Sequence, residues 1–64
     1  MNTKLKLKII EKYGSQAEFS TIVGEDESLV SRIVRERRTI DFNRQKKWAD
    51  ALGCKTEDIF VAGN

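Results

Sequence analysis

An all-α fold of five short helices is what this sequence predicts, and three observations carry that expectation. Apolar residues recur at three- and four-residue spacing along most of the chain. Residues that favour helix starts and stops fall between the apolar clusters, with Ser15, Asp26, Asp41 and Thr56 as starts and Gly14, Gly24 and Gly53 as stops. No proline interrupts any of these segments. The 64 residues make a single domain, 1–64, near the lower size limit for folding alone, and an apolar fraction of 39% supplies only a small core.

The first helix is expected from about Lys4 to Tyr13, on the spacing of Leu5, Ile9, Ile10 and Tyr13, with Gly14 as its stop. A competing signal is the alternation Lys4-Leu5-Lys6-Leu7-Lys8, which has the period of a strand. Ile9-Ile10 breaks that alternation and Glu11-Lys12 favour helix, so helix is preferred and a short N-terminal strand is the alternative. Ser15 opens the second helix, with Glu18 three residues on to complete a capping box. Phe19, Ile22 and Val23 are its expected inner face, and Gly24 can take the positive φ its end requires.

Asp26 is the expected cap of a third helix, running to Arg35, whose inner face is Val30, Ile33 and Val34. Its opposite face is Ser28, Ser31, Arg32 and Arg35, at i, i+3, i+4 and i+7, all of them donors to nucleic-acid acceptors. Arg37, Arg38 and Thr39 then form a loop. Thr39 or Asp41 caps a fourth helix from about Phe42 to Leu52, with Gln45, Trp48, Ala49 and Leu52 on one side. Thr56-Glu57-Asp58 starts a fifth, leading into Ile59-Phe60-Val61.

The net charge is only +2, but it is unevenly spread. Arg32, Arg35, Arg37, Arg38, Arg44, Lys46 and Lys47 lie in one stretch opposed by Glu36 and Asp41. Such clustering suits a phosphate-facing surface, and equally a solvated charged face. One cysteine and no histidine exclude a zinc site of the usual kind and histidine-based acid–base chemistry. The neighbouring carboxylates Glu57 and Asp58 read as first-turn charges. Neither an enzyme nor a cofactor is expected. The lone Cys54 cannot form an internal disulfide and fits a reducing cytoplasm. No apolar run has the length of a membrane span, and the Lys-rich start lacks the apolar core of a signal peptide.

Two short helices around a tight turn, at about residues 15–35, are the arrangement that holds a helix in the DNA major groove. The first helix must approach the second closely, so a small residue, Ser20, falls four positions after Gln16, and Gly24 falls four further on. Val30 and Ile33 dock the second helix. Together with Ser31-Arg32-Ile33, Trp48-Ala49-Asp50-Ala51-Leu52-Gly53 and Glu57-Asp58-Ile59-Phe60, this pattern resembles the helix-turn-helix family of phage Cro proteins and lambda-type repressors. The resemblance covers roughly Leu5 to Phe60. The opening Lys8-Ile9-Ile10-Glu11-Lys12-Tyr13-Gly14-Ser15-Gln16 looks most like small Cro-like regulators of phages and prophages.

The chain departs from the family pattern at three positions. Ser20 stands where Ala is usual and needs a backbone carbonyl for its hydroxyl. Glu25 stands where an apolar residue is usual, which should alter how the turn packs. Glu36 stands where Gly is usual, implying a right-handed backbone there.

The resemblance implies roles at matching positions. Gln16 corresponds to a phosphate-binding position, with simple capping as the alternative. Glu27, Ser28, Leu29 and Arg32 correspond to base-reading positions. Arg32 suits guanine O6 and N7, with a surface ion pair as the alternative. Glu27 could accept from cytosine N4 or only stabilise a helix start, and Leu29 could meet a thymine methyl or the rim of the core. Ser31, Arg35, Arg37, Arg38 and Thr39 correspond to phosphate contacts. Trp48 is expected in the core rather than as a stacking platform, and Cys54 as a buried, inert thiol.

The implied function is sequence-specific binding of a double-stranded operator, repressing or switching transcription as a cytoplasmic homodimer, formed in solution or only on DNA. Dimer contacts are expected within Lys55 to Val61, and no effector domain is expected to follow. Alternatives are an antitoxin or restriction–modification controller with the same DNA chemistry, or a protein-binding module on the same scaffold.

Overall fold

The computed structural model describes residues 1–60, which form five α-helices: α1 (Thr3–Tyr13), α2 (Gln16–Val23), α3 (Glu27–Val34), α4 (Phe42–Leu52) and α5 (Thr56–Ile59). The Lys4–Lys8 stretch is helical. Strand pairing would have put Leu5 and Leu7 on one face, whereas the structure buries Leu5 with Ile9, one helical turn apart, and leaves Leu7 56% exposed. Asn2 begins α1, its side-chain oxygen accepting from the Leu5 N–H at 3.1 Å, a cap the sequence reading did not assign.

Ser15 caps α2 by accepting from the Glu18 N–H at 3.1 Å. The buried arc of α2 is Phe19, Ser20 and Val23 rather than Phe19, Ile22 and Val23. Ile22 lies roughly 100° around the helix from the middle of that arc and is 56% exposed. Ser20 takes the contact position because only a small side chain fits where α2 meets its neighbours, and its hydroxyl donates to the Ala17 carbonyl at 2.7 Å. The required carbonyl partner is therefore supplied three residues back in the same helix.

The turn after α2 closes with paired bonds. The Gly24 N–H donates to the Thr21 carbonyl and the Glu25 N–H to the Ser20 carbonyl, at 3.4 and 3.0 Å. Gly24 sits at φ 72°, where a β-carbon would strain the backbone. α3 ends by the same device with a different residue. The Glu36 N–H donates to the Ile33 carbonyl at 3.0 Å and the Arg37 N–H to the Arg32 carbonyl at 2.9 Å. Both bonds need a left-handed residue between them, so Glu36 has φ 62°. The right-handed backbone expected for Glu36 is thus corrected: hydrogen bonding of the helix end overrides the preference of the residue. Asp26 precedes α3 in the cap position, but its carboxylate makes no capping hydrogen bond.

Asp41, not Thr39, caps α4 by accepting from the Arg44 N–H at 3.4 Å. The Asp58 carboxylate secures α5 by accepting from the Lys55 N–H at 3.0 Å. The core joins Leu5 and Ile9 of α1, Phe19 and Val23 of α2, Val30, Ile33 and Val34 of α3, and Trp48, Ala49 and Leu52 of α4, with Ile40 and Ile59. Through it runs an aromatic series. Tyr13 and Phe19 have ring centroids 5.7 Å apart, Phe19 meets Trp48 edge-on at 5.2 Å, and Trp48 meets Phe60 at 6.1 Å. The Tyr13 hydroxyl donates to the Ala51 carbonyl at 2.6 Å, tying the end of α1 to the end of α4.

Two stability outcomes follow. Val30→Asp places a charge without a partner among fully buried apolar groups, so the domain should lose its cooperative melting transition; a cooperatively melting variant would disprove the inner face of α3. Glu36→Gly removes left-handed strain but adds freedom to the unfolded chain, for a net stabilisation of about 0.5–1 kcal/mol. Thermal melting should show Glu36→Gly above the native chain, and a lower midpoint would contradict the strain assigned to residue 36.

Candidate nucleic-acid interface

α3 is eight residues, about 12 Å long, and its apolar stripe decides which side chains face outward. Val30, Ile33 and Val34 are buried, leaving Glu27, Ser28 and Arg32 exposed in the helix and Arg35 exposed just past its end. Ser31 is half-buried at the edge of this strip. Leu29 is also half-buried, one part of its side chain packing against the core and another reaching solvent, so both of its readings stay open. Gln16 opens α2, half-buried.

The basic loop continues directly from α3. Arg37, Arg38 and Thr39 are exposed, and the segment is pinned behind them by Ile40, whose side chain enters the core. Gln45 reinforces the pin, its side-chain amide donating to the Ile40 carbonyl at 3.1 Å. Sequence reasoning did not include Ile40 among the core residues. A lone isoleucine between charged residues has no periodicity to announce it.

The charge pattern sharpens the reading of the arginines. Among the described residues the ion pairs are the amino terminus with Glu36 at 3.5 Å, and Arg44 with Glu25 and with Asp41, both at 3.6 Å. Arg32, Arg35, Arg37 and Arg38 have no carboxylate within reach in this set. The surface ion pair held open as the alternative for Arg32 is therefore not formed among the described residues. Glu25 is drawn in under Arg44, its side chain only 16% exposed, which is how a carboxylate is accommodated in the turn.

Away from this face the structure offers less chemistry. Trp48 is fully buried, as expected of a core residue, and its indole N–H has no acceptor among the described residues. Cys54 is half-buried rather than buried, in a depression of about 490 Å³ lined by Lys8, Asp50, Gly53, Cys54, Lys55 and Asp58. Burial raises the Cys54 thiol above its ordinary range, and Lys8 and Lys12 oppose that while Asp58 adds to it. No group of three or more metal-ligating side chains converges among the described residues, and none of their helices is long and apolar enough to cross a membrane. Dimer contacts are expected within Lys55 to Val61. Ile59 is fully buried and Phe60 is half-buried against Trp48, while Val61 lies outside the described residues.

A family model described as Helix-turn-helix matches residues 5–59, spanning all but the first two residues of α1 and every other helix above. No curated protein and no solved structure matches the chain.

Because burial disfavours its thiolate, Cys54 should react with iodoacetamide more slowly than free cysteine at pH 7, with the rate rising only at pH above that of the free thiol. Reaction as fast as free cysteine, followed by mass spectrometry, would contradict the burial assigned to it.

Proposed function

The chain belongs to the helix-turn-helix family of the lambda-repressor and Cro type, a family of DNA-binding regulators, and on that premise we propose that it is a Cro-like regulator that represses or switches transcription from a short operator. The observation that carries this reading is the outward strip of α3 continuing into a loop of arginines that have no carboxylate partners among the described residues. An eight-residue helix docked by one apolar stripe presents its other side to the major groove, which is wide enough to admit it.

In this reading Glu27, Ser28, Leu29 and Arg32 meet base edges. Arg32 is the principal reader, its guanidinium matching guanine O6 and N7. Gln16, Ser31, Arg35, Arg37, Arg38 and Thr39 meet phosphates and set the register without reading sequence. One such domain buries little DNA, so two chains occupy a pseudo-palindromic site with half-sites about 34–36 Å apart. With Ile59 in the core, pairing on the DNA is favoured over a preformed apolar dimer.

The test separates reading from anchoring on a duplex selected from a random library by the native chain. Arg32→Ala should cost about 1–3 kcal/mol and relax preference at one base pair in each half-site. Arg38→Ala should weaken binding to all sequences alike and flatten the dependence of affinity on salt by about one phosphate. If Arg32→Ala keeps full base preference while Arg38→Ala loses it, α3 is not the reading element. A native chain whose DNA affinity is independent of salt would favour the protein-binding module instead.

A further inference from the structure

Arg44 belongs to α4 and was counted at the outset only as one more positive charge. The structure gives it a distinct place. Its Nε lies 3.6 Å from a Glu25 carboxylate oxygen and 3.6 Å from an Asp41 carboxylate oxygen. Glu25 is the second residue of the turn between α2 and α3, and Asp41 is the cap of α4. One guanidinium thus bridges the turn that aims α3 and the start of the helix behind the basic loop. The two acids differ in exposure: the Glu25 side chain is 16% exposed and that of Asp41 59%. A carboxylate so covered keeps its charge at low cost only with a cation beside it.

The turn has few other holds. Asp26 makes no side-chain cap, and Gly24 contributes no side chain, so Glu25 is the turn residue that reaches another helix through a charged contact. We propose that Arg44 is a positioning residue of the DNA-reading face: through Glu25 it holds the α2–α3 turn against α4, and it cancels a carboxylate that the phosphate backbone would repel. An apolar side chain at residue 25 could hold the same turn by packing. Here the ion pair does so, and both members must be present together. The proposal rests on the DNA-binding reading above, and it adds a residue that touches the reading helix only through the turn.

The experiment is a double-mutant cycle of Arg44→Met and Glu25→Leu, with Arg44→Lys as the conservative variant. Affinity is measured, over a range of salt, on the duplex selected by the native chain, and thermal stability is measured for the same proteins. Amide hydrogen exchange of Gly24, Glu25 and Val30, whose N–H groups donate to the Thr21, Ser20 and Asp26 carbonyls, is followed in the free proteins. Arg44→Met should weaken binding about two- to fivefold more in the native background than in Glu25→Leu, and Arg44→Lys should retain most of the affinity. Exchange at Gly24, Glu25 and Val30 should quicken in Arg44→Met and not in Arg44→Lys.

Several results would overturn the proposal. Coupling seen in melting temperature but absent from affinity would make the pair structural only. Loss of one phosphate from the salt dependence on Arg44→Met, equal in both backgrounds, would make Arg44 a direct DNA contact. Unchanged exchange at the turn would show that the pair does not hold it. If the native chain selects no duplex at all, the DNA-binding reading falls separately, and exchange alone then decides whether Arg44 clamps the turn.

Discussion

The docking of α3 through Val30, Ile33 and Val34 is the contact on which the remaining geometry depends. An isolated helix of eight residues is not stable in water, so α3 exists as a helix only while that stripe is buried. The same stripe fixes its rotation. With three of eight side chains committed inward, Glu27, Ser28 and Arg32 have no freedom to face anywhere but out. Packing energy and binding surface are thus two sides of one helix, and a change that loosens the first disorders the second.

What holds the other side of that contact is mostly aromatic. Trp48 stands at the centre, edge-on to Phe19 of α2 and near Phe60 after α5, so α2 and α4 are joined by a rigid, wide surface rather than by several flexible chains. The ends of the helices are then tied crosswise. The Asn2 N–H donates to the Val34 carbonyl at the end of α3, and the Asn2 amide side chain donates to the Ile59 carbonyl at the end of α5. Tyr13 does the same between α1 and α4. In a domain this small such ties satisfy helix-end carbonyls that the core is too thin to bury against one another.

Most of this architecture was legible because it depends on periodicity and punctuation. Five helices, the glycine stops of α1, α2 and α4, and the buried stripes of α3 and α4 follow from spacing and punctuation alone. The misses share a physical cause: each is decided by a partner distant in sequence or by a backbone state. Ile22 has the right chemistry for the core but the wrong angle once Ser20 occupies the point of closest approach. Glu36 adopts the left-handed region because the carbonyls of Arg32 and Ile33 need donors there, a demand invisible in the residue itself. Ile59 fell within the stretch expected to carry dimer contacts, and its burial is decided by α1 and α4, which are distant from it in sequence. Of the interface, the exposure of Arg32, Arg35, Arg37 and Arg38 was readable. That they lack carboxylate partners in the described structure, whereas Arg44 has two, was not.

That difference gives the small net charge its meaning. Between Ser28 and Ile40 there are four arginines and one glutamate, Glu36, a local excess of 4 − 1 = 3 positive charges in a chain whose total is +2. Screening at physiological salt limits the reach of each charge to about 8 Å, so a phosphate backbone at the C-terminal end of α3 and its loop senses this patch, with Asp26 and Glu27 opposing it from the other end of the helix. Of the acids close to the patch, Glu25 and Asp41 share Arg44 and Glu36 meets the amino terminus, while Asp26 and Glu27 at the opposite end of α3 form no ion pair among the described residues. The negative end of the α3 dipole, directed at Arg32 and Arg35, offsets part of the repulsion among the arginines in the free chain. A nearly neutral protein can in this way present a strongly basic face without the self-repulsion that a uniformly basic one would carry.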